Sequence, residues 1–302
     1  MPDALARFAG ELAALAAACL WAVATELYAR LGLRIPPLEL NLVKNVLAAA
    51  MIAVFLLAGG RILAAVPREA LGLLLISGAV GIGLGDTAYF ASLGHLGSRR
   101  ALLLGVLAPP LAALFALATL REVLPSGAWL GIVAAVAGVT WVITEREPAD
   151  GGRARVARGA AFGLLAAAGQ AAGAVLSHAA LVRTDVGLFQ SALLRLLAGI
   201  AGLLLTLGLR RRRILAWWPA AGRLRLTGVL VVVTFLGTAL CLVLQQAALR
   251  LSSAGVAQTL LSTSPLFILP IAAGLGERVS PRAVLGATIA LVGVALLFYY
   301  KA

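Results

Sequence analysis

Asp86 lies deep in an apolar run, preceded by Gly78, Gly81 and Gly85 and followed one turn on by Tyr89 and Phe90. A carboxylate in that setting can bind a cationic group or carry a proton. It can equally be the buried partner of a Lys or Arg, because an ionisable group inside an apolar span needs a cavity or a counter-charge. Lys44 shares a helix face with Asn41 and Asn45. It and Arg195 both sit roughly 12–14 Å into their own apolar runs at the helical rise. Such cations can line a path for a carboxylate or phosphate, or form salt bridges, Lys44 with Glu26 or with Asp86. Softer polar stripes recur at helical spacing. They are Trp21, Thr25 and Tyr28 with Glu26 beside them; Gln170, Gly173 and Ser177 with His178 adjacent; Thr234, Thr238, Cys241 and Gln245; and Gln258 and Ser262 leading into Pro265. Polar groups of these types can bond neighbouring helices or face an aqueous cavity. The candidate substrate- or proton-binding set is therefore Asp86, Tyr89, Trp21, Glu26, Lys44, Gln170, Ser177, Arg195, Gln245, Gln258 and Ser262.

Chemistry that would break bonds lacks its parts. The segment "GIGLGD" has no Lys-Ser/Thr to hold phosphates, and no G-x-S-x-G elbow occurs. His95 and His178 are far apart and Cys19 and Cys241 lie in apolar runs, a pattern that suits neither a metal centre nor a disulfide framework. The expectation is no catalytic residue, no metal, no cofactor and no enzyme. It is gradient-driven movement of a small-molecule substrate, with protons as a coupling ion.

These residues must be positioned by membrane-spanning helices. Of 302 residues 62% are apolar and only 12% charged, with a formal charge of +13, and mean hydropathy is +1.03. A soluble domain runs near one quarter charged. The basic excess does not point to nucleic acid, because the cations fall in short gaps between apolar runs, where they set topology and meet anionic lipid. With about 20 residues needed per spanning helix, ten spans are expected near 8–31, 36–59, 69–97, 98–120, 125–144, 159–182, 186–209, 224–250, 252–275 and 280–300. The fold class is an all-α integral membrane protein; no alternating ten-residue strands suggest a barrel.

The halves repeat. Shifted by 155 residues, Pro110 falls on Pro265, Glu122 on Glu277, Gly131 on Gly286 and Gly138 on Gly293. At slightly different offsets Gly10 matches Gly159 and Lys44 matches Arg195. Five spans per copy would insert the second copy from the opposite side, giving two inverted five-helix repeats around a central cavity. The expected divisions are 1–146, a polar linker at 147–158, and 159–302. Gly131, Gly138, Gly286 and Gly293 read as packing grooves, and Glu122 and Glu277 as structural bonds to the start of the next helix. Arg210 to Arg213, with Trp217 and Trp218, read as a basic aromatic loop in the headgroup layer.

The blocks "LAPPLAALFALATLREVLPSGAWLGIVAAVAGV" and "LSTSPLFILPIAAGLGERVSPRAVLGATIALVGV" resemble the paired signature of the EamA-type drug/metabolite transporter superfamily. Trp21 and "GIGLGDTAYFASLGHLG" fit the same pattern, so the resemblance spans essentially the whole chain. It departs at Arg121-Glu122, where Gly-Glu is usual, and at Gly169-Gln170, which align with Trp21. The resemblance implies a ten-helix, multi-pass transporter of the bacterial inner membrane, exporting metabolites, amino acids or drugs. A lipid-linked flippase of the same superfamily is the second reading, and an intramembrane lipid-modifying enzyme a third. Membrane lipids are the expected surroundings, and oligomeric state is not readable. Loop charge favours outside termini, whereas the resemblance implies cytoplasmic ones.

Overall fold

The computed structural model describes residues 8–60, 66–120, 125–143, 152–209, 223–252, 257, 260–275 and 279–301. Glu122, Gln258, Glu277 and the segment from Arg210 to Trp218 lie outside them. Among the described residues all regular structure is helical. The elements are α1 (Ala9–Gly32), α2 (Pro37–Ala58), α3 (Arg68–Ser77), α4 (Asp86–Gly105), α5 (Ala108–Leu120), α6 (Ser126–Ile143), α7 (Arg153–Arg183), α8 (Leu188–Leu209), α9 (Arg223–Thr234), α10 (Cys241–Leu251), α11 (Ser264–Gly274) and α12 (Pro281–Lys301). A π-helical segment, Gly78–Gly85, joins α3 to α4, and a second, Phe235–Leu240, joins α9 to α10.

Six continuous helical stretches are long and apolar enough to cross a membrane, and shorter apolar helices accompany them at Trp129–Val142, Ser264–Gly274 and Pro281–Leu296. Their outward faces carry large apolar side chains such as Leu57, Leu205, Leu209 and Val232, all more than half exposed. In a multi-pass membrane protein those faces meet lipid, where apolar exposure carries no penalty.

The expected span boundaries shift in three places. The break expected at Ser98-Arg99-Arg100 falls on Gly97, whose φ of 78° and ψ of 174° turn the chain within α4. Only glycine enters that region without a steric penalty. The span expected at 98–120 is itself divided, between α4 and α5. Pro109 and Pro110 have no N–H to continue an i→i−4 ladder, so the chain tightens just before them, with Val106 N donating to Leu103 O and Leu107 N to Leu104 O, both at 3.1 Å. The second half repeats the device ahead of Pro265, where Thr263 N donates to Leu260 O at 3.1 Å. Finally, α7 begins at Arg153, so the last residues of the expected 147–158 linker are helical.

Helices α6 and α12 pack on each other through the four glycines expected to make grooves. A Cβ on Gly138 would lie 2.6 Å from Gly286 O and from Ala290 N, and one on Gly293 would lie 2.7 Å from Gly131 O. The backbones therefore touch with no room for a side chain. The remaining helices surround the site.

Candidate functional site

The site starts from the glycine-rich π turn. Gly78, Gly81, Gly83 and Gly85 replace side chains with contact between backbones. A Cβ on Gly81 would sit 3.5 Å from Gly173 Cα, one on Gly85 would sit 3.5 Å from Gly169 Cα, and Gly78 abuts the backbone of Arg195. The turn brings α3 and α4 against α7 and α8, which belong to the other half of the chain. A π turn also disturbs the regular backbone ladder, and here the carbonyls find side-chain donors. Asn41 Nδ2 donates to Ile82 O at 2.8 Å and Thr87 Oγ1 donates to Gly83 O at 2.7 Å.

Asp86 is the first residue beyond that turn. Its carboxylate is 5% exposed as a residue and accepts from two sides. Lys44 Nζ lies 2.7 Å from Oδ2 as an ion pair, and Gln170 Nε2 donates to Oδ1 at 3.0 Å. Lys44 also donates to Asn45 Oδ1 at 2.8 Å and lies 5.5 Å from the Phe90 ring centroid. Asn45 Nδ2 in turn donates to Asn41 Oδ1 at 2.9 Å. Of the two partners open to Lys44 in the sequence, the structure selects Asp86. The Gln170 bond bridges the two halves.

An aromatic wall adjoins the pair. Trp21 and Tyr89 have ring centroids 5.4 Å apart, and the Tyr89 hydroxyl lies 2.9 Å from Thr25 Oγ1. Tyr28 reaches across to Thr238 Oγ1 at 2.8 Å. On the far side Arg195 Nη1 donates to Gln246 Oε1 at 3.0 Å, and Gln246 Nε2 donates to Ser177 Oγ at 2.8 Å and Ser191 Oγ at 2.7 Å.

A cavity of about 160 Å³ opens between these groups. Eight of the expected site residues line it: Trp21, Lys44, Asp86, Tyr89, Gln170, Arg195, Gln245 and Ser262. Both halves contribute, through α1, α2, the α3–α4 segment, α7, α8, α10 and the residues before α11. Among the described residues α6 and α12 contribute nothing to the wall. Ser177 lies behind Arg195, in the Gln246 network, and does not reach the cavity. Glu26 points elsewhere, accepting from Ser98 Oγ at 2.8 Å and from Arg30 Nε at 3.1 Å. Gln258 is among the residues not described.

Gln246 itself was not among the expected residues. The stripe through Thr234, Thr238, Cys241 and Gln245 assumes an unbroken α period. Thr238, Cys241 and Gln245 of that stripe do line the cavity, and Gln246, one position on in α10, faces another side, toward Arg195. Gln245 and Gln246 thereby both matter, the first on the cavity and the second behind Arg195.

The sequence model of the EamA-like transporter family matches residues 8–144 and 157–299, one copy per half. No curated protein matches the chain significantly. Among solved structures, one described only as "Crystal structure of protein" superposes with a TM-score of 0.66 over 97% of each chain, at 18% identity. At that identity the likeness is one of fold.

Proposed function

The chain belongs to the EamA-like transporter family of the drug/metabolite transporter superfamily, and from that premise we propose that it is a gradient-driven secondary transporter exporting small organic solutes across a bacterial cell membrane. The ten spans form two inverted five-span repeats, and the cavity between them opens alternately to either side with protons as the coupling ion. The observation that carries this reading is the cavity wall itself. Side chains from both halves converge on one chamber, and a polar bond from Gln170 to Asp86 crosses between them. A chamber held jointly by two repeats changes its access when one repeat moves against the other.

A cavity of about 160 Å³ suits a small organic solute.

The test fills the chamber without disturbing its packing. Gly105 lines the cavity, and a Cβ there would meet no atom within 4 Å. In proteoliposomes preloaded with a solute panel, wild-type chain should give saturable, gradient-dependent flux. Gly105→Trp should abolish it while the detergent melting temperature stays near the wild-type value. Equal flux through the plugged variant would remove the cavity from the transport path.

A further inference from the structure

Arg195 is 1% exposed and lines the cavity. Among the described residues its guanidinium makes one hydrogen bond, from Nη1 to the neutral Gln246 amide, while Nε is buried with no acceptor. Among the described residues no salt bridge joins Arg195 to Asp86, whose carboxylate takes Lys44 on Oδ2 and Gln170 on Oδ1, so its charge reaches Arg195 only through space. The position matching Asp86 in the second half, first after the π segment, holds Cys241. Among the described residues the charged groups of the cavity wall are Lys44, Asp86 and Arg195, so their formal charges leave one positive in excess. An arginine does not shed that charge by deprotonation, and a buried charge without a partner is costly.

The Nε–Nη2 edge of a guanidinium matches the two oxygens of a carboxylate. We infer that Arg195 is the receptor for a carboxylate carried by the transported solute. The substrate class is then a small organic monoanion whose apolar body rests on Trp21, Tyr89, Leu102 and Leu261. One negative charge balances the chamber; a phosphate dianion would overshoot it. The inference deepens the transporter reading, on which it rests for the word "transported".

The experiment pairs shape with charge. Acetate and phenylacetate are compared with acetamide and phenylacetamide, at neutral pH and constant ionic strength, by their effect on the melting temperature of the full chain in detergent. A ligand bound by the native state raises that temperature. The acids should stabilise the wild type and the amides should not. Arg195→Gln should weaken the acid effect about tenfold or more in apparent affinity, the usual worth of a hydrogen bond to a charged group. Arg195→Lys should retain part of it. Gln246→Glu, which places a carboxylate 3.0 Å from Nη1, should abolish it with Arg195 still present. Acids and amides acting alike on the wild type, or acids acting equally on Arg195→Gln, would overturn the receptor. The transporter reading fails separately: acids that bind through Arg195 but drive no flux in liposomes sink transport and leave the receptor standing.

Discussion

Lys44 and Arg195 occupy matching places in the two halves, both buried to 1% exposure, yet the fold treats them in opposite ways. Lys44 meets a carboxylate at 2.7 Å, an amide oxygen at 2.8 Å and an aromatic face. Arg195 meets one neutral amide and keeps an orphaned Nε. Duplication supplies both halves with a cation and a π-turn frame; only the first half adds the anion. The difference separates architecture from recognition. A charge satisfied inside its own half holds helices together, whereas a charge left unsatisfied is available to something that enters.

The largest expected effect breaks the satisfied half. Asp86→Ala strands Lys44, and removing one partner of a buried pair costs about 3–5 kcal/mol. The detergent melting temperature should fall sharply and flux should vanish, while Lys44→Met on top of Asp86→Ala should restore most of the lost stability. An unchanged melting temperature for Asp86→Ala would make the pair dispensable.

Next comes the support of the unsatisfied half. Gln246→Leu removes the only described hydrogen-bond partner of the Arg195 guanidinium and leaves Ser177 without its own, while Ser191 keeps its bond to Leu188 O. A cost of about 2 kcal/mol is expected from lost bonds to a charged group, read by equilibrium unfolding. A negligible cost would mean that water already serves Arg195 as well as the amide does.

A smaller effect tests the bridge between halves. Gln170→Leu deletes the donor to Asp86 Oδ1 and leaves the Lys44 bond in place. Because Gln170 is only partly buried, about 1 kcal/mol is expected. The more telling readout is flux, which should fall by more than stability does; equal fractional losses would reduce Gln170 to packing.

The smallest effect sharpens the comparison most. Arg195→Gln removes a buried charge without stranding an opposite one, so the melting temperature should move by no more than about 1 kcal/mol equivalent in either direction. A collapse as deep as that of Asp86→Ala would place Arg195 among the structural groups and erase the contrast between the halves.

Much of this was legible in the residues. The glycines at 131, 138, 286 and 293 announce helices that approach to backbone contact, because no other reason holds small residues at that spacing in both copies. The glycines before Asp86 likewise announce a close crossing, and the crossing proves to be with Gly169, Gly173 and Arg195. What stayed hidden depended on phase and on distance through space. Glu26 had Arg30 one turn away on its own helix, a local pair that i, i+4 spacing advertises, and its second partner Ser98 lies in another span. Asp86 rather than Glu26 received Lys44 because the π turn fixes where the carboxylate begins its helix. No hydropathy period encodes such a turn. Gln246 stayed hidden because it sits one position off a stripe that does face the cavity, and only its contact through space with Arg195 reveals it.

The bare contact between α6 and α12 has a mechanical meaning. Where glycine backbones meet, the two helices have no side-chain rotamers through which to absorb sliding, and small Ala and Val side chains fill the seam around them, so they act as a rivet. In the alternating-access reading proposed above, motion would then fall to the helices that line the chamber, whose irregular points are the π turns and the two-residue breaks ahead of the prolines. A bulky residue at Gly138 or Gly286 would pry the rivet open at a place that contributes nothing to the chamber wall, so the protein would lose its frame before it lost its site.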